Sequence, residues 1–266
     1  MKSRLDLLTI AAISVVAYIV QNVLHEAVGH GGVCLLLGGE PTSLSTAYFD
    51  MVDGSVSPAE RRLVAAGGAV VNILAGGICW ALLRTMRGAG DSFRFFLWLS
   101  MTINLLTGTG YLLFSGTMQV GDWVVVIAGF EPFWLWNTLM ILVGVVTYLL
   151  CIRLSLSTML PLLGGVEGID LKRAKSLSLY PYLIGCVAST IGAAFNPLSP
   201  IFILTSAAAN FGGTSGLAWM TQLYKTSWFK PSTRAGVNIG RSWPWVISAG
   251  LLLALHIAVL GPAVTF

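Results

Sequence analysis

The first apolar stretch of the chain, Leu5–Leu37, is long enough to cross a bilayer and yet carries His25, Glu26 and His30 in the run HEAVGH. An α-helix rises about 1.5 Å per residue, so about 20 apolar residues span a hydrocarbon core of about 30 Å. Lipid offers the backbone no hydrogen-bond partners, which leaves helices as the way for separate segments to cross it. Further stretches without strand-like alternation are Pro58–Met86, Phe93–Ser115, Phe133–Ile152, Tyr180–Phe195, Pro200–Leu223 and Trp243–Leu260. The expected fold class is an all-α polytopic transmembrane helical bundle of six to seven spans, the stretch Tyr180–Phe195 being short for a crossing. Only 10% of the 266 residues are charged, against about 25% in a soluble domain. Residues 1–152 are expected to form a membrane-embedded core, and residues 153–266 additional transmembrane helices.

Lys2 and Arg4 precede the first stretch, but no small-x-small cleavage pattern follows, so it is expected to be a retained helix. Ser57, Pro58 and Glu60 mark the start of the second helix as a capping box with proline at the first position. Cys34, Cys79, Cys151 and Cys186 lack metal-type spacing and read as small core residues. The net charge of +4 is spread over short connections without a basic-aromatic face, which argues against nucleic acid as a partner. Arg84, Arg87, Arg94, Arg153, Lys172, Arg173, Lys175, Lys225, Lys230, Arg234 and Arg241 fall on the even-numbered connections, whereas Glu40, Asp50, Asp53, Asp122 and Glu131 fall on the odd ones, with Arg61 and Arg62 just inside the helix that follows the first of these. That alternation predicts a cytoplasmic N-terminus and seven spans; the expected location is a bacterial inner or plasma membrane. It places the histidines in the outer half of the first helix and Asp122 at the outer end of the third. The segment Glu40–Asp53 is expected to form an extended loop or hairpin over them.

An ionisable cluster at bilayer depth is costly and marks a functional site by default. Two imidazoles flanking a carboxylate have the composition of a zinc site with a built-in general base. Zinc on three protein ligands acidifies water and polarises a carbonyl, and a neighbouring carboxylate can move the proton to the leaving amine. His25 and His30 are the candidate ligands, Glu26 the candidate catalytic base and Asp122 the candidate third ligand, with Asp50 and Asp53 as rivals. Solvation or helix capping competes with ligation at Asp122. His256 has no partner nearby in sequence and reads as a packed or hydrogen-bonded histidine.

Spacing complicates the metal reading. In H-E-x-x-H the histidines lie about 40° apart around a helix, whereas the five-residue spacing here separates them by about 140°. A π-bulge restores a common face and concentrates at functional sites. With Gly29, Gly31 and Gly32 at hand, a bulge or break is predicted at Ala27–Gly31.

The chain resembles the site-2-protease-type intramembrane zinc metalloproteases over roughly residues 21–125. The likeness rests on HEAVGH followed by a Leu-rich stretch ending in Gly38-Gly39, on Ala65-Ala66-Gly67-Gly68-Ala69-Val70-Val71-Asn72, and on the segment from Asn104 to Asp122. The HEAVGH spacing, H-E-x-x-x-H, also resembles the zinc helix of the soluble dipeptidyl peptidase III. The resemblance implies a zinc metallopeptidase holding one zinc ion, with a membrane-spanning protein substrate cut in or near the lipid bilayer. It also implies a substrate-binding role for Asn72 and Asn104. From the residues alone, those amides read equally as interhelical hydrogen bonds. Two competing functions remain open at this level: a catalytically inactive scaffold or assembly factor, and a small transporter using the cluster as an ion relay.

Overall fold

A computed structural model describes residues 4–86, 88–164, 170–196, 200–225 and 236–266. Six of its helices are long and apolar enough to cross a membrane: α1 (Leu7–Leu36), α2 (Pro58–Thr85), α3 (Asp91–Met118), α5 (Phe133–Leu163), α6 (Leu171–Phe195) and α8 (Trp243–Leu260). Between them lie the short α4 (Asp122–Ile127) and α7 (Pro200–Gly213). The protein is thus an integral membrane helical bundle. Its centre is α3, where Phe95, Trp98, Leu99, Met101, Ile103 and Leu106 are fully enclosed. The Trp98 indole is satisfied there by the Ser155 carbonyl at 3.0 Å. By contrast α2 and α5 expose Leu74, Ile78, Leu142, Val146 and Leu150, a face suited to lipid.

Helix starts follow local chemistry. Asp6 caps α1 by accepting from the Thr9 N–H at 2.9 Å. Ser57 and Glu60 close the capping box expected at the head of α2. Two boundaries differ from expectation. α5 runs past Ile152 to Leu163 with Pro161 inside it, because Arg153 sits on an exposed helix face and need not end the helix. α6 begins at Leu171 instead of Tyr180, capped by the Asp170 carboxylate on the Arg173 N–H.

The stretch Pro200–Leu223 is not one helix. α7 stops at Gly213, and the chain continues through the turns Gly216–Trp219 and Met220–Lys225. The Tyr148 hydroxyl bridges the break, donating to the Gly213 carbonyl at 3.0 Å and accepting from the Gly216 N–H at 2.8 Å. Farther along, the Tyr224 hydroxyl donates to the Leu156 carbonyl and the Val237 N–H to the Leu162 carbonyl. Gly213, Tyr224 and Val237 therefore descend in step with Tyr148, Leu156 and Leu162 of α5. The chain arrives beside the N-terminus, where Leu5 and Ile239 form a parallel bridge. Gly213, Tyr224 and Val237 are buried, so these described pieces lie against protein, where irregular backbone is tolerated at membrane depth.

At the opposite end, β1 (Pro41–Leu44) and β2 (Phe49–Met51) form the expected hairpin. The Ser45 hydroxyl holds its turn by accepting from the Ala47 and Tyr48 N–H groups. The C-terminal β3 (Val264–Thr265), not anticipated from sequence, pairs with β1 on the other edge.

Candidate metal centre

Within α1 the backbone switches to π-helical hydrogen bonding over Leu24–Gly31. The predicted distortion is present and begins earlier than Ala27. Because a π turn joins residues five apart, His25 and His30 come to one face, with ring centroids 4.9 Å apart and planes edge-on. Gly29 is needed for a reason other than flexibility: a Cβ on it would stand 2.5 Å from the Gly68 Cα of α2. The π segment and α2 thus cross backbone against backbone, and a Cβ on Gly68 would stand 2.7 Å from Nε2 of both histidines.

Asp122 arrives from a different direction. α3 ends at Met118, Gln119 takes a left-handed conformation at φ 56° and Gly121 lies at φ 91°. The reversal begins α4 with Asp122 turned back toward α1, so the residue opens a separate short helix instead of ending the third. Its Oδ2 lies 3.3 Å from His25 Nε2 and 3.4 Å from His30 Nε2. These are the ligand-type atoms that could hold a metal ion, all within 4.8 Å of one another.

Hydrogen bonds behind the rings fix which nitrogen carries the proton. Asn104 Nδ2 donates to the Ser100 carbonyl, so its Oδ1 faces Asn72 and accepts from Asn72 Nδ2 at 2.8 Å. Asn72 Oδ1 is thereby left to accept from His25 Nδ1 at 2.6 Å. His30 Nδ1 lies 2.8 Å from the Val64 carbonyl, a group that can only accept. Both neutral imidazoles are therefore held as Nδ1–H tautomers with Nε2 lone pairs directed at the Asp122 carboxylate. His25 Nε2 and Asp122 Oδ2 are buried without a hydrogen-bond partner among the described residues. Three electron-pair donors facing one point repel one another unless a cation or proton lies among them. The residues present fit a metal ion.

A cavity of about 350 Å³ opens on this point. Glu26, buried in the π segment, lines it together with Tyr111, whose ring centroid lies 5.2 Å from that of His25. Phe49 and Met51 of β2 close one side, and Asn210 of the broken α7 lies on another.

The remaining sequence candidates separate cleanly. Asp53 pairs with Arg61 at 3.0 Å, and Asp50 accepts from the Met51 N–H; neither joins the ligand group. His256 is buried with Nε2 3.4 Å from the Ser189 carbonyl, as a packed histidine should be. The four cysteines are free thiols outside the ligand group. Asn72 and Asn104 are fully enclosed and stand behind His25 as an interhelical hydrogen-bonded pair, outside the residues that line the cavity. Sequence reasoning did not find the Val64 carbonyl, Tyr111 or the role of Gly68 against the rings. The run Ala65-Ala66-Gly67-Gly68 was the available signal for that close crossing.

No protein-family model, curated protein or solved structure matches this chain.

Proposed function

We propose that the protein is a zinc-dependent intramembrane endopeptidase of the site-2-protease type, cutting membrane-spanning protein segments. The observation that carries this reading is the convergence of two Nε2 lone pairs and one carboxylate oxygen beside a buried glutamate. Ligand atoms about 2.0–2.1 Å from an ion at tetrahedral angles stand about 3.3 Å apart, which suits the 3.3 and 3.4 Å separations around Asp122.

His25, His30 and Asp122 hold one zinc ion in this reading. Bound there, zinc supplies Lewis acidity toward water and toward the scissile carbonyl. Glu26 is the general base: it takes a proton from the attacking water and returns it to the leaving amine. Asn72 and Val64 keep the imidazoles in the ligating tautomer. The β1–β2 hairpin and the cavity walls restrict bulk water around the extended substrate segment. The charge asymmetry of the connections supports a cytoplasmic N-terminus.

Purified protein should contain about one zinc ion per chain, and Glu26→Gln should retain it. In proteoliposomes carrying a set of tagged single-span proteins, wild type should release fragments and Glu26→Gln should not. Stoichiometric zinc with equal turnover in Glu26→Gln would remove the proposed base. A protein that binds no zinc and functions unchanged as Glu26→Gln would be the inactive scaffold.

A further inference from the structure

A second cavity lies away from the metal centre, between α2, α3 and α5. It occupies the end of the bundle where Asp91 accepts from the Asn238 N–H and Asn238 in turn binds the backbone of Arg4. Its volume is about 360 Å³. Trp80, Leu83, Leu154 and Pro161 give it an apolar wall, and two cations from different helices border it. Arg84, in the last turn of α2, holds its guanidinium 5.0 Å over the Trp80 ring. Arg94, in the first turn of α3, is half-buried. Its Nε is buried without a hydrogen-bond partner among the described residues, and its NH1 meets Asp91 only at 3.6 Å. Asp91 also commits its other oxygen to Asn238 at 2.7 Å, which leaves Arg94 a long contact with that carboxylate.

An arginine fork is matched by phosphate, and two of them beside an apolar wall call for a ligand with a phosphate at one end and hydrocarbon at the other. The surrounding helices supply the direction of approach, since α2 and α5 turn exposed aliphatic faces toward lipid. We propose that this groove binds an anionic glycerophospholipid of the surrounding membrane. Its phosphate sits between Arg84 and Arg94, and an acyl chain lies along Trp80, Leu154 and Pro161. Basic pockets between membrane helices recognise anionic headgroups in this manner. The site is independent of the zinc chemistry proposed above, and its test touches none of the metal ligands.

The protein is placed in phosphatidylcholine nanodiscs with and without a minor fraction of phosphatidylglycerol, and thermal unfolding and native mass spectrometry are read. Phosphatidylglycerol should raise Tm and leave about one lipid bound per chain. Both effects should disappear in Arg84→Gln/Arg94→Gln and persist in Lys172→Gln/Lys175→Gln, which removes exposed cations at the start of α6. Should the double variant fail to fold, Arg84→Gln alone should lose the retained lipid, because Arg84 is exposed. An equal response in wild type and the arginine variants, or an equal loss in the lysine pair, would reduce the effect to diffuse attraction and overturn the site. An equal Tm rise with inorganic phosphate alone would overturn the lipid assignment.

Discussion

Two helices of this bundle leave α-helical geometry at a buried histidine, and among the described residues only one of them gathers a group that could hold a metal ion. In α1 the π segment Leu24–Gly31 carries His25 and His30; in α8 the π segment His256–Leu260 begins at His256. Both crossings are tight enough to exclude a side chain: a Cβ on Gly68 would meet the first pair of rings, and a Cβ on Gly192 would meet the His256 ring at 3.1 Å. The difference lies in what the opposing chain presents. His25 and His30 face a carboxylate that α4 turns inward, whereas His256 faces the Ser189 carbonyl, a neutral acceptor. A π turn brings side chains five apart to one face, and the donor set opposite them decides whether that face can hold a cation.

The strongest way to break this contrast is to remove one imidazole from each region. His30→Ala should reduce zinc from about one ion per chain to background, because two remaining ligands cannot form a closed site. His256→Ala should keep full zinc content while losing stability as a cavity-forming substitution. Inductively coupled plasma mass spectrometry on both purified variants reads the difference, and equal zinc loss would erase the distinction drawn here.

Glycine substitutions sharpen the same contrast at lower amplitude. Gly68→Ala places a methyl 2.6 Å from His25 Cε1 and 2.7 Å from both Nε2 atoms, so at least one ring must move. Gly192→Ala meets Thr46 Cγ2 at 2.6 Å and the His256 ring at 3.1 Å. Each should destabilise the fold by about 1–3 kcal/mol through overpacking. Only Gly68→Ala should also lose zinc; thermal melts paired with metal analysis separate the two effects. Smaller again is Asn72→Leu, which removes the acceptor for His25 Nδ1 without touching a ligand atom. Loss of such an orienting partner weakens metal affinity by about 10–100-fold, measurable by competition with a chromophoric chelator.

Much of this was legible in the chain. The apolar stretches carried the transmembrane class, and the five-residue spacing of His25 and His30 demanded a distorted helix. Asp122 was identifiable as a carboxylate at the right depth, although the turn through Gln119 and Gly121 that aims it inward was not. What escaped was set by contacts far apart in sequence. Nothing near Asn72 says that its amide will bind His25 instead of lining a substrate groove, since that depends on Asn104 orienting it from α3. Pro200–Leu223 reads as a continuous apolar helix, and its break at Gly213 depends on the Tyr148 hydroxyl from α5 satisfying the freed backbone groups. Arg153 looked like a helix end because a charge in an apolar run suggests a boundary, yet on an exposed face it allows α5 to continue.

The two π-bearing helices also start from one ion pair, and it supplies the mildest test. Asp6 caps α1 and accepts from Arg241 Nε at 2.9 and 3.0 Å, just ahead of α8. The Arg241 guanidinium, followed by the Thr9 N–H, lowers the Asp6 carboxyl from its ordinary 3.8 to about 2. A depressed folded-state value stabilises the protein at pH above the unfolded value, and that contribution is lost as pH falls through the folded one. It should therefore be fully present above about pH 4 and fade toward pH 2. Asp6→Asn keeps a competent helix cap and removes only the charge. Its Tm should fall slightly below wild type near neutral pH, and the gap should close as the pH approaches 2. Because the pair lies at the far end of both helices from the histidines, zinc content should be identical in the two proteins. A drop in zinc would mean that the ends of α1 and α8 set the π geometry, and would move the cause of the ligand convergence away from the Gly29–Gly68 crossing.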